Sequence, residues 1–246
     1  MTENRAMLFP DWDVDAIVMN MVPNADDDFS HSVDLIQQGQ LDEADQLISL
    51  EMSRYPWVMM AAAYIHLQKN NIDEAKRLLR AITLVSQETI LQLWAWHNLR
   101  RLGHSPSAAL SQQVLGIIIE VPYEDSSDVL ASYADGTARY LNHQGSMIVW
   151  DTVDEQITPL ILRGIQMARP MGSLEQFHSD EPVAEGEVRL NVLTPAGLHI
   201  WEGSPEQGSD VSLLFAQQAN LLKALVQMVL DRKEDADENE TGEDID

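Results

Sequence analysis

The chain contains no cysteine in 246 residues. That excludes disulfides, thiolate nucleophiles, Cys-ligated zinc and iron–sulfur clusters. Basic residues are scarce: 15 Lys+Arg stand against 40 Asp+Glu, a formal charge of −25. Phosphate backbones and anionic membranes are bound by neutralising Lys and Arg, so neither nucleic acid nor a membrane is expected as a direct partner. Long hydrophobic runs are missing too. The run Val58 to Ile65 has eight residues, against roughly 20 needed to span a bilayer. The opening MTENRAMLFPDWDVD has no basic stretch ahead of an apolar one, so no signal peptide is expected and the location expected is cytoplasmic. A glycine-rich phosphate loop, a nucleophile elbow, an HExxH helix, an EF-hand loop and a dinucleotide fingerprint are all absent. His31, His66, His97, His104, His143, His178 and His199 include no pair at three- or four-residue spacing. No metal and no cofactor are expected.

Apolar residues make up 45% of the chain, enough for a core that buries roughly 70–75% of the unfolded surface. The charge is uneven. Residues 231–246 hold nine acids and two bases, a net of −7, and residues 1–34 hold eight acids and Arg5, again −7. The other 196 residues carry −11. The C-terminal stretch, 233–246, has little to bury and is expected to be a disordered acidic tail.

An internal repeat organises the first half. Gly39-Gln-Leu-Asp-Glu-Ala44-Asp-Gln-Leu-Ile recurs as Asn71-Ile-Asp-Glu-Ala75-Lys-Arg-Leu-Leu, and in degenerate form as Gly103-His-Ser-Pro-Ser-Ala108-Ala-Leu. The alanines step by 31 and then 33 residues. Helix-like stretches, Phe29 to Gln38, Trp57 to Lys69 and Ile90 to Leu102, precede the copies. Gly39, Asn71 and Gly103 suit a left-handed turn between paired helices. Ala44, Ala75 and Ala108 suit close helix approach. Asp42-Glu43 and Asp73-Glu74 suit the first turn of a second helix, where carboxylates complement the dipole.

Over roughly residues 25–120 this pattern resembles the tetratricopeptide repeat, although Asp28 stands where that family has a bulky first-helix residue. The resemblance implies a concave groove. Its face would use Phe29, Val33 and Gln37 in the first repeat, Trp57, Met60, Tyr64 and Gln68 in the second, and Leu93, His97, Arg100 and Arg101 in the third. Aromatic anchors beside an arginine pair suit a peptide with an acidic group or a free carboxylate, and the chain's own acidic tail is one candidate occupant. Ahead of the repeats, residues 1–24 include a short amphipathic helix, Trp12 to Val22, with Asp11 as its cap. It would cap the array or pack on another chain.

After Val114 the period changes to that of strands. Leu115 to Val121, Val129 to Ala134, Thr137 to His143 and Met147 to Thr152 read as a meander. Asp135-Gly136 is read as a type I′ turn, and Gln144-Gly145-Ser146 as a second turn. Val153 to Arg169 reads as a helix, 171–186 as a loop, Val188 to Thr194 and Leu198 to Glu202 as strands, and Val211 to about Asp231 as a long helix. Glu120, Glu124, Asp125 and Asp128 read as a solvated acidic loop. Tyr133, Arg139, Tyr140 and His143 share one hairpin and form a weaker candidate ligand site. Alternation puts Arg139 and Tyr140 on opposite faces.

The expected class is therefore α+β. Helical hairpins (25–114) pack on a mostly antiparallel six-stranded sheet with two helices (115–232), in the order ββββ-α-ββ-α. The expected function is a non-enzymatic, bacterial-type cytoplasmic adaptor acting on another protein or a peptide. Two alternatives stand beside it: an acidic decoy that fills a basic cleft, and a small-molecule sensor or unfamiliar enzyme using the 133–143 hairpin.

Overall fold

Three turns set the first half of the molecule. Gly39 (φ 79°), Asn70 (φ 58°) and Gly103 (φ 77°) take left-handed backbone, again 31 and 33 residues apart. Each closes its helix with the same pair of hydrogen bonds. Gly39 N and Gln40 N donate to Ile36 O and Leu35 O, Asn70 N and Asn71 N to Leu67 O and His66 O, and Gly103 N and His104 N to Arg100 O and Leu99 O. This is the Schellman closure. The left-handed residue of the second turn is Asn70, not Asn71, which lies one position on at φ −92°.

The computed structural model describes residues 7–9, 11–21, 28–51, 55–124, 126–173 and 183–242, with side chains for all of these but 49–51, 173 and 232–242. The chain divides into two compact units, Met1–Leu115 with Leu193–His199, and Gly116–Val192 with Ile200–Asp246.

In the first unit α1 (Val14–Met19) is followed by α2 (Asp28–Gln37), α3 (Leu41–Glu51), α4 (Pro56–Gln68), α5 (Ile72–Val85), α6 (Thr89–Arg101) and the four-residue α7 (Ala108–Ser111). Consecutive helices from α2 to α6 pack as antiparallel neighbours. Ala44 and Ala75 are fully buried where the pairs approach. Ala108 is exposed instead, because α7 ends within a turn and leaves the third hairpin without a full second helix. The run Val58–Ile65 is buried on every side. A helix that is apolar all round needs covering all round, and α4 is covered by α3, α5 and α1. The expected cap is also displaced: α1 starts at Val14, so Asp13 rather than Asp11 precedes it.

In the second unit β1 (Gly116–Tyr123), β2 (Ser126–Tyr133), β3 (Ala138–Leu141) and β4 (Met147–Trp150) form an antiparallel meander. With β5 (Val188–Thr194) and β6 (Gly197–Gly203) they make a six-stranded antiparallel sheet in the order β4-β3-β2-β1-β5-β6. The order of elements is the expected ββββ-α-ββ-α. The first hairpin turn differs in type from the expectation, and the second matches the first. Only Gly136 (φ 84°) and Gly145 (φ 89°) are left-handed there. Gly136 N donates to Tyr133 O and Tyr133 N to Thr137 O, and Gly145 and Asn142 repeat the pattern. Both are three-residue loops ending in a glycine bulge, not type I′ turns.

The helices α8 (Ile157–Met167) and α9 (Asp210–Gly242) pack together on the sheet face carrying Leu130, Ala138 and Trp150, and Ile157, Ile161, Leu221 and Leu225 complete that core. Gly164 permits the approach, since a Cβ there would run into the Gln218 amide. The backbone of α9 continues past Asp231 to Gly242, into the stretch expected to lack order. Glu, Lys, Arg and Ala are good helix formers, and a helix already nucleated on the core is cheap to extend. Counting uninterrupted apolar runs also overlooked a property of α9. By length and composition its Asp210–Asp231 portion is apolar enough to cross a membrane, while Leu214, Leu221 and Leu225 on it are fully buried in the core.

Candidate functional site

The helix α6 presents Trp94, His97, Asn98 and Arg101 at offsets of three, four and seven, which makes one stripe along its surface. The chain's own segment 7–21 lies on that stripe. The Asn98 amide reads the main chain: its Oδ1 accepts from Val14 N at 2.9 Å and its Nδ2 donates to Trp12 O at 3.0 Å. A further bond from Nδ2 to Trp94 O, 2.8 Å, holds the amide in that orientation. One turn away, Trp94 Nε1 donates to Phe9 O at 3.2 Å. These contacts need no particular side chain on the segment.

Other contacts do select side chains. The Trp12 ring stacks on Trp94 with centroids 5.6 Å apart and planes at 7°, and Trp57 meets the same Trp94 edge-on at 6.1 Å. The Asp13 carboxylate accepts from His97 Nε2 at 3.1 Å and is paired with the Arg101 guanidinium. Asp15 accepts from Gln68 Nε2 at 3.3 Å. Gln37 Nε2 donates to Met21 O at 3.1 Å. Beneath them Val14, Ile17 and Val18 are buried, with α1 packed on α4 and α6. Burial, then the charge of Arg100, holds His97 below its ordinary value against the pull of Asp11. The neutral ring therefore serves Asp13 as an Nε2–H donor. Burial, then Asp15, pushes the Tyr64 hydroxyl up.

Of the residues expected in the groove, Gln37, Gln68, His97 and Arg101 meet the segment directly, and Trp57 does so through Trp94. Val33, Met60 and Leu93 are core residues, 1%, 0% and 1% exposed, and Tyr64 is buried. Phe29 is half-buried on α2. The arginine pair separates. Arg100 turns away and donates from NH1 to Pro195 O at 2.6 Å. Sequence reasoning missed Asn98 altogether and gave Trp94 no place in the groove; Trp94 is 6% exposed, a buried ring that also faces the segment. Their spacing of four residues, one step out of phase with His97 and Arg101, was the available signal.

The hairpin candidate in the second unit also separates. Tyr133 is buried, its hydroxyl pushed up by burial with Arg139 opposing. Arg139 donates to Ala138 O and Trp150 O. Tyr140 and His143 converge on a residue read as part of a loop. Asp128 Oδ1 accepts from His143 N at 2.8 Å and Nδ1 at 3.0 Å, and Asp128 raises the Tyr140 hydroxyl after burial does. The His143 ring stacks on Tyr123 at 3.9 Å. Tyr140 and Asp128 border an apolar cavity of about 120 Å³ under α9, while Tyr123, Ser126 and His143 line an open depression of about 420 Å³. Glu120, expected in the acidic loop, is 2% exposed within β1. It accepts from Asn191 at 2.9 Å and lies 3.9 Å from Arg189, whose guanidinium also holds Glu202 at 2.7 Å. Among the described residues no cluster of three or more His, Asp or Glu is placed to hold a metal.

Comparison with protein families, with curated proteins and with solved structures gives no match for this chain.

Proposed function

We propose that the chain is a non-enzymatic adaptor of the cytoplasm that acts through protein–protein contacts, with the α6 stripe as its peptide-holding surface. One observation carries this reading: Asn98 binds both the N–H of one residue and the carbonyl two residues earlier in an extended segment. An amide spanning i and i+2 of another strand of chain reads a peptide main chain. The tetratricopeptide-like spacing of the hairpins supports the same reading. The test is fluorescence anisotropy with acidic, neutral and basic peptides against the full chain carrying Asp13→Ala, which weakens the resident segment. Binding that prefers acidic peptides and falls at least ten-fold with Asn98→Ala is expected. No binding by any peptide class would refute it.

A second reading attaches to the sheet unit, where Asp128 fixes the His143 ring above an open depression. There a small polar ligand would contact His143 and Tyr123. A melting shift with a metabolite panel that vanishes in His143→Ala would support it, and no shift across the panel would remove it.

A further inference from the structure

The resident segment spells out what the groove selects. We infer that residues 7–21 are a tethered stand-in for the groove's true partner. That partner is an acidic segment of another protein that enters extended and turns helical, carrying an aromatic residue, Asp, an aliphatic residue and Asp in succession, then an aliphatic pair. It binds only as the resident segment leaves. This inference rests on the groove reading above and adds to it the chemistry of the partner and a built-in competitor.

The order of residues follows from the contacts. The aromatic is fixed by Trp94, on which Trp12 stacks. The first acid is fixed by His97 and Arg101, and the second by Gln68. The intervening aliphatic is fixed by burial of Val14, 1% exposed, and the aliphatic pair by Ile17 and Val18, 2% and 0% exposed. Charge agrees: Arg101, in a chain with 15 bases and 40 acids, faces an acid here.

A partner can bind only where the segment leaves. A six-residue helix is not stable alone, so α1 owes its form to the groove and regains conformational entropy on release. Its attachment to the same chain makes its local concentration millimolar in scale, so an untethered peptide competes at a disadvantage. The apparent affinity of a partner is reduced by the fraction of grooves that stand open. Weakening the resident segment must therefore strengthen binding in trans, which no merely structural role of α1 requires.

The experiment uses a fluorescent peptide of residues 7–21 and three full-length proteins: wild type, Trp12→Ala/Asp13→Ala, and that double variant with Asn98→Ala added. At least ten-fold tighter binding by the double variant than by wild type is expected, with the gain lost on adding Asn98→Ala. A peptide with Trp12 and both aspartates replaced must not bind. In parallel, saturating peptide added to wild type must raise amide hydrogen exchange at Val14–Met19 of the protein itself, a readout independent of how well the variants fold. Equal affinity for wild type and a folded double variant would overturn the inference, as would unchanged protection of Val14–Met19 under bound peptide. A wild-type dimer in sedimentation, with α1 exchanged between copies, would overturn it in favour of a second copy as occupant. If other peptides bind in an Asn98-dependent way and this one does not, the inference falls while the groove reading stands. If none binds, both fall.

Discussion

The helical unit and the sheet unit handle buried polar groups in opposite ways. In the sheet unit such groups answer one another within the sheet and its helices: Glu120 with Asn191 and Arg189, Arg189 with Glu202, Ser132 with Gln218, and Asp128 with His143. In the helical unit Trp94, His97 and Asn98 turn instead to a segment that precedes the repeats in sequence. Internal pairing closes a structure. Donors and acceptors that need a separate piece of chain leave it open to exchange. The two units differ in this more clearly than in their core composition.

The largest effect should come from breaking the closed network. Arg189 and Glu120 are 3% and 2% exposed, and removing one partner of a buried pair costs about 3–5 kcal/mol because the other charge stays buried. Arg189→Met should lower stability on that scale, read by denaturant unfolding with β5 amide exchange. A cost under about 1 kcal/mol would mean that water reaches Glu120 and the network is not closed. Next in size is Gly164→Ala, whose methyl would meet the Gln218 amide. Overpacking of this kind costs about 1–3 kcal/mol, and the Ser132–Gln218 bond should fail with it.

In the helical unit Asn98→Ala leaves Val14 N, a buried donor, without its acceptor, a penalty of about 1–3 kcal/mol. The change should appear as faster exchange at Val14–Met19 and loss of the Trp12–Trp94 exciton band in circular dichroism. An intact band would mean that stacking and Val14, Ile17 and Val18 hold the segment unaided, and that the main-chain reading by Asn98 is incidental.

Much of this arrangement was legible in advance, and the failures share a cause. Strands and helices announce themselves by period, so ββββ-α-ββ-α and the hairpin spacing were readable. Turn type depends on which residue crosses to positive φ, and Asp135-Gly136 and Asn70-Asn71 each offered two candidates. At the site, Arg100 and Arg101 look equivalent in sequence, yet neighbours on a helix point about 100° apart. Only Arg101 reaches Asp13, and Arg100 goes to Pro195 O. For Asn98 the spacing of four from Trp94 marks a shared face, but a polar residue among Leu93, Trp94 and Leu99 carries no sign of what it will bond. Its partners lie 84 and 86 residues away.

A smaller effect follows pH. His97 is held below its ordinary value by burial and by Arg100, so the unfolded or released ring binds protons more readily than the docked one. By linkage its contribution is complete above the ordinary value of 6.5 and is lost as pH falls below it. The Trp12–Trp94 exciton band should weaken between pH 7.5 and 5, and the dependence should flatten in His97→Gln. A band that strengthens on acidification would mean that the Asp13 carboxylate, not burial, governs the ring.

The smallest effect should be that of Arg101→Ala, and its smallness is informative. Arg101 and Asp13 are 56% and 42% exposed in their side chains, and exposed ion pairs contribute about 0–1 kcal/mol. Added salt screens what remains, with a Debye length near 3 Å at 1 M. Segment release, measured by exchange at Val14–Met19, should rise only slightly in Arg101→Ala, and the difference from wild type should vanish in high salt. Asn98→Ala should keep its full effect there, because a buried amide bond is not screened. If the order reversed, with Arg101 dominant and salt-sensitive, the groove would hold its occupant chiefly by charge. Any sufficiently acidic segment would then compete, and the stack on Trp94 would confer no selectivity.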